Sequence, residues 1–292
     1  MTLDLTHLPK GIRERAFDGS HDRIRQVRAA NWVGYARATR ALDRLEELIE
    51  QPSCARMPCL LLYGESGMGK TMIVEKFQRL HPPTFDRGSG VEHRPVVIVQ
   101  MPSDPDDRRF FTRILHELGV PYSSHWRVGA LERAALDALT LARTQVLIVE
   151  EVHQLLAGSA REQRLSLNLI KSIANDLRIC TVAVGTGEAR HAFEADPQIR
   201  RRFDPFSLPR WTECDDFRDF VCAFGKLYPL RKSSSLGERG IVQKILQASE
   251  GITGPVTRVL SLAAVEAIRT STEFIDEAGI EAAAARLRQD LT

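Results

Sequence analysis

The sequence predicts an α/β fold: a three-layer αβα domain on a parallel sheet, followed by a small all-helical domain. Three observations carry this. Short apolar runs of strand length alternate with segments of helical period over about Asn31 to Arg210. The clearest runs are apolar at every position, as suits strands covered by helices on both faces. From about Trp211 only helical periodicity remains. The expected division is an arm or linker over 1–30, the α/β core over 31–210 and the helical domain over 211–292.

The first 30 or so residues are polar and arginine-rich, with a short helix expected from His21 to Ala30. Ala41, Leu42, Leu45, Leu48 and Ile49 then repeat at helical spacing until Pro52 ends the pattern. Cys59 to Tyr63 reads as the first strand, and Met72 to Leu80 as the helix that follows its loop. A segment rich in Pro, Gly and charge leads to a second strand, Val96 to Met101, and Pro102 to Arg109 forms a polar connection. Phe110, Phe111, Ile114, Leu115 and Leu118 mark a helix closed by Gly119 and Pro121, and Leu131 to Ala142 another. Gln145 to Val149 is the third strand, Leu165 to Leu177 a helix and Ile179 to Val184 the fourth strand. Beyond Trp211, three aliphatic and aromatic stripes (Phe217 to Phe224, Ile241 to Leu246, Val256 to Leu262) and a terminal helix from Ile280 to Leu291 predict a helical bundle.

Composition narrows the function. With 40 basic and 38 acidic residues the net charge is only +2, so any nucleic-acid binding must come from a local basic surface. No apolar run approaches the roughly 20 residues of a membrane span, and the N-terminus lacks the apolar core of a secretion signal, so the expected location is the cytoplasm without membrane attachment. Five irregularly spaced cysteines suggest neither a disulfide framework nor a zinc site.

The chemistry centres on GESGMGKT, residues 64 to 71, which has the P-loop pattern G-x-x-x-x-G-K-[ST] between a strand and a helix. Gly64, Glu65, Ser66, Gly67, Met68, Gly69, Lys70, Thr71 and Met72 are the expected nucleotide contacts. Glycines let backbone N–H groups approach phosphate oxygens, Lys70 would meet the β and γ phosphates, and the Thr71 hydroxyl would ligate Mg²⁺. Glu150 and Glu151 follow the third strand directly, where P-loop ATPases place a metal-holding carboxylate and one that polarises the attacking water. Glu150 takes the metal role, with Glu where Asp is common, and Glu151 the catalytic one. His153 reads as a hydrogen-bonded structural residue. Thr186, at the tip of the fourth strand, is the candidate sensor of the γ-phosphate. Arg200, Arg201 and Arg202 end a helix candidate, and Arg201 or Arg202 fits an arginine finger supplied to a neighbouring subunit. Arg258, just inside a helix after Gly254-Pro255, fits a lid cation returning to the nucleotide, the sensor 2 role.

In this order and spacing the motifs resemble an AAA+ ATPase, and more narrowly the TniB family of ATPase regulators of DDE transposases, related to TnsC and similar in role to MuB. The resemblance rests on NWVGYARATRAL, RMPCLLLYGESGMGKT, VVIVQMPSDPDDRRFFTRILHELGVP, VLIVEEVHQLL and VAVGTGEA, and covers about Asn31 to Leu262. It implies a helical lid after the core, ATP and Mg²⁺ as ligands, and a ring or helical homo-oligomer on double-stranded DNA. It further implies partnership with a DDE transposase and a target-selection adaptor of the TniQ type. By resemblance Val33 and Tyr35 lie against the adenine, and Arg108, Arg109, Arg113 and Arg127 turn towards the DNA backbone. Two other readings fit the same motifs: a helicase-loader or clamp-loader-like ATPase, and a nucleotide-dependent interaction switch without appreciable turnover.

Overall fold

The computed structural model describes residues 4–103 and 106–289, which fall into two compact units: residues 37–66 with 70–208, and residues 4–36 with 67–69 and 209–289.

The first unit is built on a five-stranded, wholly parallel sheet. Its strands are β1 (Cys59–Gly64), β4 (Val96–Gln100), β5 (Val146–Glu150), β6 (Cys180–Gly185) and β7 (Phe203–Leu208), in the order β4-β5-β6-β1-β7. β1, β5 and β6 are buried at nearly every position, which is why each reads as a continuous apolar run. Around them lie α3 (Ala36–Ile49), α4 (Lys70–Leu80), α5 (Asp107–Glu117), α6 (Val128–Leu141) and α7 (Ala160–Leu177), then α8 (Gly187–Ala195) and the short α9 (Pro197–Arg200). Leu61, Val97, Val99, Leu147, Val149 and Ala183 of the strands join Phe110, Phe111, Ile114, Leu131, Ile170 and Phe193 of the helices in one core.

Two features go beyond the sequence expectation. β7 is a fifth strand on the edge beside β1, with Leu62 paired to Phe206. It carries Pro205, which the missing N–H confines to an edge. The charged segment before β4 holds a small antiparallel hairpin, β2 (Thr84–Asp86) and β3 (Val91–His93). Its turn is closed by the Asp86 carboxylate, which accepts from the Gly88 N–H and the Ser89 hydroxyl, and by Gly90 in the left-handed region.

The second unit is helical. α10 (Asp215–Gly225), α11 (Arg239–Ser249), α12 (Thr253–Arg269) and α13 (Glu277–Gln289) bury Phe217, Phe220, Phe224, Ile241, Ile245, Val256, Val259, Leu260 and Ile280 together. The terminal helix was expected to reach Leu291; its last two positions lie outside the described residues, as do Asp104 and Pro105 of the polar connection. The segment read as an arm contains α1 (Lys10–Arg13) and α2 (Ser20–Arg28), and α2 packs on this core through Val27. Its Arg23 is 1% exposed. Two of the Arg23 nitrogens donate to the Pro229 carbonyl at 3.0 and 2.8 Å, and the guanidinium forks onto Glu273. Burial pushes the Glu273 carboxyl up, but hydrogen bonds and charge from Arg23 and Arg231 leave it below its ordinary value. Among the described residues no helix is long and apolar enough to cross a membrane.

Candidate nucleotide site

In a parallel sheet the C-terminal strand ends lie at one edge. Here that edge carries Gly64 of β1, Glu150 of β5 and Gly185 of β6. Lys70 and Thr71 open α4, so the chain leaves β1 and enters a helix whose free N–H groups face the same end. Gly67 and Gly69 have φ of +79° and +88°, a backbone that side chains rarely adopt. The tip of this loop, Gly67 to Gly69, groups with the helical unit, where the Gly67 carbonyl accepts from the Gly254 N–H at 2.8 Å.

Lys70 is 8% exposed, and its ammonium donates to the carbonyls of Gly64 and Glu65, each at 2.8 Å. Burial pulls its pKa below the ordinary lysine value, against the opposing pull of Glu151 and Glu150. The Thr71 hydroxyl donates to Glu150 Oε1 at 2.7 Å. Glu150 is 6% exposed. Burial pushes its carboxyl above the usual range and the charge of Glu151 adds to this, while the Thr71 hydrogen bond opposes it. A hydroxyl and a carboxylate meeting this closely are the hard oxygen donors Mg²⁺ requires, so the residues fit the metal the motifs imply.

Glu151 stands at the start of a 3₁₀ turn with φ 57° and ψ 33°, left-handed backbone for a residue other than glycine. Its Oε2 lies 3.3 Å from His153 Nε2. Among the described residues, His153 Nδ1 and Thr186 Oγ1 are buried without a hydrogen-bond partner. Thr186 is the N-cap of α8 and borders an open pocket of about 740 Å³ with Tyr63, Glu65, Ser66, Glu188, Arg190 and Glu194. There Arg190 donates to the Tyr63 hydroxyl at 3.0 Å and to Glu194 at 2.6 Å. This pairing was missed from sequence, although the i, i+4 spacing of Arg190 and Glu194 was readable.

The structure thus brings Lys70, Thr71, Glu150 and Glu151 together. It places the arginine run elsewhere. Arg200 ends α9 and Arg202 directly precedes β7, at the N-terminal strand edge beside Cys180. A strand of six residues spans about 20 Å, so these arginines cannot reach the P-loop of their own chain. Arg202 is half-buried, with Nε and Nη2 unpartnered among the described residues. Val33 and Tyr35 pack in the helical unit, where the Tyr35 ring lies 4.6 Å from Trp211 and 5.6 Å from Phe220. Arg258 is exposed on α12.

Of the arginines expected near DNA, Arg108 donates to the carbonyls of Trp126 and Ser124, and Arg113 to those of Gln100 and Met101. Arg109 pairs with Asp106 at 3.7 Å, and Arg127 is exposed at the N-cap of α6.

Known proteins resemble this chain in sequence and in fold. The chloroplastic chaperone protein ClpC2 of Oryza sativa subsp. japonica is 28% identical over 158 residues, 53% of this chain but only 15% of that protein. Among solved structures, the Aeropyrum pernix ORC1 protein in complex with DNA matches with a TM-score of 0.66 at 17% identity, over 91% of this chain and 70% of that one. Drosophila ORC bound to DNA matches with a TM-score of 0.61 at 15% identity, over 98% and 70%. These structures share the fold. The sequence profile described as Bacterial TniB protein matches residues 23–213, well over half of the 292-residue chain. The chain belongs to the TniB family, with the P-loop fold of the AAA+ ATPases and a helical C-terminal region.

Proposed function

We propose that this protein is an ATP-dependent, DNA-binding ATPase that oligomerises on duplex DNA, marks a transposition target and recruits or stimulates a DDE transposase. ATP hydrolysis would control its release. One observation carries most of the reading: cis residues for ATP (Lys70, Thr71, Glu150, Glu151) gather at one edge of the sheet, while Arg201 and Arg202 lie at the opposite edge. A finger so placed serves the site of another subunit, which makes turnover depend on assembly.

In this reading Lys70 leaves its two carbonyls for the β and γ phosphates, a substrate charge that offsets its burial. Thr71 and Glu150 would hold Mg²⁺, which supplies charge neutralisation at the phosphates. Glu151 takes the proton of the attacking water, with His153 against its carboxylate. The Thr186 hydroxyl, buried and unpaired, donates to the γ-phosphate or the water. Arg258 as sensor 2, and Val33 and Tyr35 as adenine contacts, complete the assignment by family resemblance.

Sedimentation and electron microscopy with duplex DNA and a non-hydrolysable ATP analogue test this: the protein should form a ring or filament. A protein that stays monomeric under these conditions sinks the proposal. A second reading, a nucleotide switch without turnover, draws on Glu150 at the usual Asp position. Phosphate release by the parent and by Glu151→Gln, with and without DNA, separates the two, since a switch shows neither DNA stimulation nor loss on substitution.

A further inference from the structure

The strand-entry edge of the α/β unit has a pattern that, apart from Arg202, the nucleotide site does not use. Every strand of the parallel sheet is entered just after an arginine: Arg94 before β4, Arg143 before β5, Arg178 before β6, Arg56 before β1 and Arg202 before β7. The register lines these entries up. The Arg94 N–H donates to the Ala142 carbonyl at 2.7 Å, the Cys180 N–H to Gln145 at 2.9 Å, and Arg56 Nη2 to the Arg201 carbonyl at 3.0 Å. With strands about 4.8 Å apart, five adjacent entries make a row roughly 19 Å long.

Two further facts set this row apart from ordinary surface charge. Arg143 and Arg178, which close α6 and α7, both have φ of 51°. That is the left-handed position where helices favour glycine, because a Cβ there is strained. Arginine stands there twice despite that cost. Among the described residues neither guanidinium has a hydrogen-bond or ionic partner, and both residues are exposed. At one end of the row Arg94 is already neutralised by Glu92 at 2.6 Å, and at the other Asp204 pairs with Arg44 at 3.3 Å. By contrast Arg108 and Arg113, the arginines that sequence pattern turns towards DNA, are tied to carbonyls of their own chain.

We propose that this strand-entry edge, through Arg143 and Arg178 at the entries of β5 and β6, takes the phosphate backbone of duplex DNA, leaving the β7 end with Arg201 and Arg202 to the neighbouring subunit. Guanidinium forks suit phosphate oxygens, and a straight row of them tracks a backbone without reading bases. The proposal rests on the DNA-binding function argued above and names a surface for it.

Arg143→Gly combined with Arg178→Gly tests it, because glycine relieves both left-handed positions. DNA binding and its salt dependence are measured with ATP present, beside melting temperature and ATP binding. The variant should melt at or above the parent and bind ATP equally, while the slope of log affinity against log salt falls by about 2, at about 0.9 per phosphate contact. An unchanged slope in a variant whose parent binds DNA overturns this surface and leaves the function standing. A parent that does not bind DNA overturns the function itself. If the variant loses self-association without DNA while its slope is unchanged, the edge is an interface between copies and the proposal falls.

Discussion

The Thr71 hydroxyl lies 2.7 Å from Glu150 Oε1, joining the first turn of α4 to the end of β5 through one hydrogen bond. Glu150 is buried and its carboxyl is held above the ordinary range. A carboxyl raised in this way contributes stability that is fully present below its unfolded pKa and is lost as pH rises through its folded one. Glu150→Gln keeps the shape without the charge. It should therefore stabilise the nucleotide-free protein at neutral pH by on the order of 1 kcal/mol, and flatten the dependence of melting temperature on pH. Thermal melts with and without Mg²⁺ and ATP check this, since the parent should gain from the pair of ligands and the variant should gain much less. A variant that melts below the parent at every pH would contradict it.

The Arg23–Glu273 pair has the opposite sign. Glu273 is held below the carboxylate range, so its stabilisation is present above the unfolded value, about 4.3, and fades as pH falls through the folded one. Arg23→Met leaves a buried carboxylate without its partner and should cost about 3–5 kcal/mol at neutral pH. Arg23→Met with Glu273→Gln should recover part of that loss. Denaturant unfolding at neutral and acid pH gives both numbers, and the single variant should differ least from the parent in acid.

Gly185 ends β6 where a Cβ would sit 2.8 Å from both Ala189 Cβ and Val152 Cγ2. Gly185→Ala must move α8 or the turn after β5, at about 1–3 kcal/mol. Thr186 and Glu151 border those two segments, so phosphate release should fall further than ATP binding does. Equal losses in both would show a general fold defect.

If Arg201 or Arg202 serves a neighbour, one inactive subunit can rescue another. Lys70→Ala lacks the P-loop cation and a double Arg201→Ala, Arg202→Ala variant lacks the finger, so each alone should hydrolyse little ATP. Mixed on DNA, some interfaces pair an intact P-loop with an intact finger, and activity should reappear. Absence of rescue across all ratios would place the arginines outside the reaction.

Much of this was legible in the chain. Four of the five sheet strands are apolar enough to be read directly, and GESGMGKT and VLIVEE sit where their spacing puts them. β7 was not legible, because FDPFSL has a proline, an acid and a serine in six residues, and an edge strand buried mainly at Phe203 and Leu208 need not be apolar. Arg23 looked like one charge among many in a polar segment; only the distant Glu273 and Pro229 turn it into a buried anchor. The engagement of Arg108 and Arg113 with carbonyls was hidden for a related reason, since charge is visible in sequence and its local partner is not.

Pro205 has a consequence for how copies of this chain meet. A strand at the margin of a sheet offers unpaired backbone groups to any similar strand, and a protein concentrated along a polymer would be exposed to that hazard repeatedly. The proline removes a donor from the β7 margin. If copies assemble on DNA as proposed, they are thereby discouraged from fusing into a continuous ribbon through β7.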